Sequence, residues 1–131
     1  MTDTPVQATI PAFRVFTCGA LLVERWDGTS WQPVRLGEWG GSQDPRRLLK
    51  RLACSPGRHV RRGTLLEDLW PDVDPKESGG YLNDAAYKLR AVLRPSKGKA
   101  TLLITADDAS SFRLPGQDRL WIDADAALVL L

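Results

Sequence analysis

Side chains that could carry out covalent chemistry are few and far apart in this chain. There is one histidine, His59, and there are two cysteines, Cys18 and Cys54. Catalysis requires a base held beside a nucleophile, but His59 lies in a basic turn and no GxSxG, HExxH or GxxxxGK motif occurs. The cysteines have apolar neighbours and lack metal-type spacing, which predicts buried free thiols. We predict no catalytic residue, no cofactor and no enzymatic activity.

Acidic residues between positions 72 and 83 come nearest to a metal-binding pattern. Asp72 and Asp74 stand where a calcium loop has its first and third ligands. Lys76 then occupies the fifth position, Glu77 replaces the glycine required at the sixth, and Asn83 replaces the bidentate Glu required at the twelfth. We therefore predict no metal site.

The basic residues are segregated along the chain, although 18 Lys and Arg against 16 Asp and Glu give a net charge of only +2. Seven basic residues and no acid lie between Asp44 and Glu67, and five more lie between Asp84 and Asp107. This pattern indicates a basic face that could meet phosphate, and a solvated charged surface is the alternative. The solvated surface is favoured for four residues of the first helix, Arg46, Arg47, Lys50 and Arg51.

The elements that must position these side chains begin with strands. Residues 13–26 predict two short strands around Gly19, Asp27-Gly28 predicts a hairpin turn, and residues 30–34 predict a third strand. Residues 36–41 are loop-like. The result is an N-terminal antiparallel sheet, which we expect Trp26, Trp31, Trp39 and Trp121 to cover.

Three helices follow. Asp44 is a cap for a helix over about 45–54, and Thr64 is a cap for a short second helix that Pro71 ends. The third helix, about 75–94, begins with Asp74 as cap and with Glu77 completing a capping box. Gly79-Gly80 predicts an irregular first turn.

The chain ends with a predicted β-hairpin of residues 101–105 and 111–114, a strand near 120–122 beside it, and the start of a helix at 124–131. We predict an α+β fold with a flexible tail (1–12), one domain (13–123) and the start of a helix (124–131) that either leads into a following domain or is truncated. No apolar run approaches the roughly 20 residues of a membrane span, so we expect a cytoplasmic protein without membrane contact.

A candidate reading surface lies on the third helix. If its apolar stripe faces the core, Tyr81, Asn83, Asp84, Tyr87, Lys88, Ala91 and Arg94 face outward. Asn83 can pair with adenine, Lys88 can donate to guanine, and Tyr87 can contact phosphate or a thymine methyl. Arg90 suits either a phosphate or a structural ion pair. The phosphate-contact candidates elsewhere are Arg61, Arg62 and Thr64 at the start of the second helix, and Arg113 in the hairpin.

The order of a short helix, a turn, a long basic helix and a hairpin is typical of a winged helix-turn-helix. The stretch PGRHVRRGTLLEDLWPDVDP, followed at the appropriate distance by KLRAVL, resembles the OmpR/PhoB-type winged helix of SARP-like (Streptomyces antibiotic regulatory protein) transcriptional activators. The resemblance covers about residues 13–125.

The resemblance implies the DNA-binding module of a bacterial transcriptional regulator, with its third helix in the major groove of double-stranded promoter repeats. If the domain binds such repeats, we also expect self-association on that DNA. It also implies that the loop between helices two and three contacts RNA polymerase. That loop comprises Pro71, Asp72, Val73, Asp74, Pro75 and Lys76. Asp107 and Asp108 at the hairpin tip, and Asp84 on the third helix, depart from the family pattern and would repel phosphate. The alternative is a winged helix that serves as a protein-interaction module.

Overall fold

The computed structural model describes residues 10–96, 100–106 and 108–129 of the chain. Most of the predicted N-terminal tail, the basic residues Lys97 and Lys99, the hairpin-tip residue Asp107 and the last two residues lie outside the described residues. The fold is α+β, with two small sheets and four α-helices in the described part. None of the helices there is both long enough and apolar enough to cross a bilayer.

The N-terminal sheet contains the three predicted strands, β1 (Phe13–Phe16), β2 (Leu22–Trp26) and β3 (Trp31–Pro33), in antiparallel order. Alternation directs Phe13, Val15 and Val23 into the core. The turn after β2 forms as predicted, because Asp27 accepts hydrogen bonds from the backbone N–H groups of Thr29 and Ser30, each at 2.7 Å.

A fourth strand joins this sheet and makes its strand directions mixed. The final strand, β7 (Leu120–Ile122), was predicted beside the hairpin, but it pairs in parallel with β1. The prediction was wrong because Leu120 and Ile122 are both completely buried in the core that Phe13 and Val15 form. The sheet is therefore mixed rather than purely antiparallel.

The three predicted helices are α1 (Asp44–Ala53), α2 (Arg62–Leu69) and α3 (Pro75–Val92). They bury the apolar stripes expected from their period. Residues 36–41, predicted as loop, include a 3₁₀ helix over Leu36–Trp39, whose Trp39 is buried in the core. A single core thus joins α1–α3 to the inner face of the sheet.

Details of the helix termini differ from the predictions. Helix α2 begins two residues before Thr64, which lies exposed in its first turn instead of capping it. Asp74 does cap α3, accepting from the Lys76 N–H at 2.9 Å, but the Glu77 carboxylate accepts the Tyr81 hydroxyl instead of completing a capping box. The helix is regular through Gly79-Gly80, because the elements packed behind it compensate for the low helix propensity of glycine.

The predicted hairpin consists of β5 (Ile104–Thr105) and β6 (Ser111–Arg113), and a strand that was not predicted, β4 (His59–Arg61), completes a three-stranded sheet in the order β4-β6-β5. Helix α4 (Asp123–Val129) follows β7 directly. Cys18 and Cys54, predicted to be buried, are both exposed because they lie just beyond the ends of β1 and α1.

Candidate nucleic-acid interface

Helix α3, with 18 residues, is the longest helix in the described part of the chain, and its outer face is exposed. Its buried side consists of Ser78, Leu82, Ala85, Ala86, Leu89 and Val92. On the opposite side Asn83, Tyr87 and Ala91 are exposed, and Tyr87 is 71% exposed. The predicted orientation of this helix is therefore confirmed. Asn83 and Tyr87 form an exposed amide and phenol pair on its outer side, and the exposed Arg94 lies two residues beyond its end.

Lys88 lies at the edge of this pair and is not free. Its Nζ is 3.0 Å from Oδ2 of Asp84, one helical turn earlier. Its aliphatic stem passes over Gly40, where a Cβ atom would come within 3.0 Å of the Lys88 Cδ. The predicted guanine donor is thus half-buried and paired with a carboxylate of its own helix.

Arg90 joins α3 to the hairpin sheet. Its Nη2 donates to the hydroxyl of Thr105 at 2.5 Å, and its backbone carbonyl accepts the hydroxyl of Thr101 at 2.8 Å. In the described part of the chain Arg90 has a structural contact with a hydroxyl and not the predicted ion pair, and its contact with phosphate stays a prediction.

Arg62 lies where three elements meet. Its backbone N–H donates to the Ser110 carbonyl at 2.8 Å, and its Nη2 donates to the Gly79 carbonyl at 3.1 Å. The start of α2, the hairpin tip and the first third of α3 are thereby held together. Arg61 and Thr64, predicted with Arg62 as phosphate contacts, are exposed on either side of this junction.

Arg113 lies on the outer face of the hairpin sheet. It is in register with His59, and the next pair of that ladder, Val60 and Phe112, is buried. Because side chains alternate along a strand, Arg113 points away from the core. The sheet therefore presents Arg113 on the face opposite to the one that contacts α3.

The predicted polymerase-contact loop is shorter than expected. Pro71 and Asp72 are exposed in the turn itself, whereas Val73 packs against the core and Asp74 caps α3. The last two predicted members, Pro75 and Lys76, are exposed residues of the first turn of α3.

Several members of the basic run hold the fold together. Arg47 donates to the Leu69 carbonyl and Arg51 pairs with Asp68 at 2.7 Å, so both tie α1 to α2. Arg47 is nevertheless exposed, as expected for a solvated face, whereas Arg51 is half-buried.

Arg58 is the residue that sequence reasoning missed most completely. It is 6% exposed and has a left-handed backbone conformation with φ of 55°. Its guanidinium donates to the Asp125 carboxylate of α4, to the Gln117 side chain and, at 2.6 Å each, to the carbonyls of Pro115 and Leu120. Nothing in the local sequence predicts the burial of Arg58, because its acid partner is 67 residues away.

The tip of the hairpin carries a charged carboxylate. Asp108 accepts the Ser110 N–H at 3.0 Å, and this hydrogen bonding lowers the pKa of Asp108 below its usual value. The negative charge predicted at the tip is therefore maintained at neutral pH.

Comparison of the chain with protein-family profiles, with curated proteins and with solved structures found no match.

Proposed function

We propose that this chain is a winged helix-turn-helix domain that reads duplex DNA, with α2 and α3 as the helix-turn-helix and β4-β6-β5 as the wing. The observation that carries the proposal is the exposed pair of Asn83 and Tyr87 on the outer side of an 18-residue helix, with Arg94 exposed just beyond its end. A helix of this kind fits the major groove, where amide and hydroxyl groups can meet base edges and phosphates.

The contacts divide between base reading and phosphate binding. Asn83 and Tyr87 are the base-reading candidates, since both are exposed at an i, i+4 spacing. Arg94 at the end of α3 and Arg61 beside the start of α2 are candidates for phosphate. Arg62 and Arg90 serve the same site by holding α3 against the wing.

The larger context that we propose follows the resemblance to SARP-like activators. The domain would bind promoter repeats in a bacterial cytoplasm, and the exposed turn at Pro71 and Asp72 would be its contact with RNA polymerase. Alanine replacement of both turn residues is expected to reduce transcription activation in a reconstituted assay while leaving DNA affinity unchanged.

The test of DNA reading is selection of bound sequences from a random duplex pool by the purified chain. The double variant Asn83→Ala, Tyr87→Ala is expected to lose the enriched motif, with a loss of about 1–3 kcal/mol for each base contact removed. The matched control is Arg46→Ala, Lys50→Ala on α1, which is expected to retain the motif. Absence of enrichment by the folded wild-type chain at low salt would overturn the proposal.

One observation favours the second candidate, a protein-interaction module. The Asp84–Lys88 pair and the charged Asp108 reduce the positive potential where phosphate would approach. Binding that depends on Tyr87 but is insensitive to salt would support this alternative, because DNA binding through several phosphates weakens steeply as salt rises.

A further inference from the structure

The outer face of the N-terminal sheet, opposite the core, is rich in aromatic residues. Register and alternation place Arg14 and Phe16 of β1, Glu24 and Trp26 of β2, Trp31 of β3 and Trp121 of β7 on this face, which we call the aromatic face. Leu22 belongs to it and is 45% exposed. Surface apolar groups are ordinary when they are scattered, but a contiguous set on one sheet face marks an interaction site.

The side chains of the aromatic face form one connected cluster. Phe16 and Trp121 have ring centroids 5.4 Å apart, and Trp26 and Trp31 have centroids 5.3 Å apart. The Arg14 guanidinium lies 4.5 Å from the centre of the Trp31 ring and 5.6 Å from that of Phe16, bridging the two pairs. Between them is an open cavity of about 320 Å³ lined by Pro11, Arg14, Phe16, Trp31 and Trp121.

The charges on this face are balanced. Arg14 forms an ion pair with Glu24, its direct cross-strand neighbour on β2. Trp, Phe and Arg are the residues enriched at the centres of protein interfaces. The aromatic face therefore combines an interface-like apolar surface with one positive and one negative group at its centre.

We propose that the aromatic face binds the same face of a second copy of this chain. The occupant is indicated by charge complementarity: although Arg14 and Glu24 are paired within one chain, a partner is favoured if it sets an acid over Arg14 and a base over Glu24 at the same separation. A two-fold axis along the strands, between β1 and β2, meets this requirement, because it lays Arg14 over Glu24 of the second copy.

The strand order suits the same axis. In the order β3-β2-β1-β7 the axis passes through the middle of the sheet, exchanging β1 with β2 and β3 with β7. Phe16, which is in register with Leu22, then lies over Leu22 of the second copy. Isologous pairing of this kind is the commonest form of oligomer, and face-to-face sheets pack about 10 Å apart.

The first test is sedimentation equilibrium of the full chain without DNA, at high micromolar concentration. A dimer is expected, and Leu22→Lys is expected to weaken it by about tenfold or more. The matched control is Leu36→Lys, which changes a 72% exposed leucine outside the face and should leave the dimer intact. A monomeric wild-type chain, or a dimer equally stable in Leu22→Lys, would overturn the proposal.

A charge exchange tests the arrangement of the pair. Arg14→Glu alone and Glu24→Arg alone place like charges opposite each other in the homodimer, and each variant is expected to be monomeric. An equimolar mixture is expected to form a heterodimer, because one chain then carries two acids and the other two bases. Failure of the mixture to associate, with both variants folded by circular dichroism, would exclude this geometry.

Discussion

Asp84 controls how much positive charge the outer side of α3 can offer to a ligand. An ion pair one helical turn apart at the surface stabilises the helix by only a few tenths of a kcal/mol. Lys88 can therefore leave Asp84 for a phosphate or a base at little cost. In the proposed complex the carboxylate would still lie beside the DNA, where its charge would oppose binding.

Asp84→Asn is expected to raise DNA affinity several-fold by removing that repulsion and freeing Lys88. Because one further cation can then displace counterions, the slope of log affinity against log salt should become steeper by about 0.9. Fluorescence anisotropy titrations over a salt series measure both quantities. Asp118→Asn, which removes an exposed acid from the loop before β7, is the control, and an equal gain in that variant would argue against a local effect.

Gly40 is the residue over which the Lys88 stem passes. Its φ of 74° lies in the left-handed region, and a Cβ atom would crowd the lysine stem. Gly40→Ala is therefore expected to lower the free energy of unfolding by about 1–2 kcal/mol in urea titrations. Gly37→Ala, in the 3₁₀ helix that Gly40 caps but with open space around it, should be neutral or slightly stabilising. Equal effects of the two substitutions would contradict this explanation.

Between elements, Arg58 connects parts of the chain that are distant in sequence. Its side chain holds α4 and the segment before β7, while its backbone carbonyl accepts the Leu114 N–H at 3.0 Å, next to β6. The hairpin sheet and α4 thus share one buried guanidinium. A change in the position of α4 would therefore alter the contacts of Arg58 at the base of the hairpin.

Arg58→Ala is expected to lower the free energy of unfolding by about 3 kcal/mol, because it leaves two carbonyls and a carboxylate without their donor. Amide hydrogen exchange should also accelerate in β4 and β6. Asp125→Asn should cost less, since Asp125 is 38% exposed and can be solvated. Arg46→Ala is the control and should change stability by less than about 0.5 kcal/mol. A loss no larger than that of the control would show that Arg58 is not the connection.

Across the whole molecule, the two ends of the described chain are fastened to each other. Strand β7 lies beside β1, and the Asp123 carboxylate accepts from the Thr17 N–H and hydroxyl and from the Cys18 N–H at 2.8 to 3.1 Å. Burial raises the pKa of Asp123, but these hydrogen bonds outweigh it and lower the pKa from 3.8 to about 2. The charged form of Asp123 therefore stabilises the fold.

The pH dependence follows from that lowered pKa. A carboxyl group whose pKa is depressed in the folded state stabilises the fold above its unfolded value of 3.8, and this contribution is lost as pH falls towards about 2. Urea unfolding across this range should show a smaller acid-induced loss in Asp123→Asn than in the wild-type chain. The exposed-acid variant Asp118→Asn should keep the wild-type dependence. If all three curves are parallel, Asp123 does not contribute in this way.

The sequence by itself determined the features that depend on neighbouring residues. The 3.6-residue period of Leu82, Ala85, Ala86 and Leu89 predicted which side of α3 is buried. Asp74-Pro75 predicted where this helix begins, and Asp27-Gly28 predicted a hairpin turn. These signals are local, because capping, turn geometry and helical period involve groups within a few residues of one another. The outward position of Asn83 and Tyr87 could be predicted for the same reason.

Only the tertiary structure decided which distant groups meet. The three residues of β4 were too few for a strand signal, and β7 took β1 as its partner because that position completes the core. The acceptors of Arg58, the packing of the Lys88 stem over Gly40 and the contact of Arg90 with Thr105 all depend on which segments the fold brings together. A basic residue has the same local pattern whether it binds phosphate or a buried carbonyl, and the difference lies in burial and in partners up to 67 residues away.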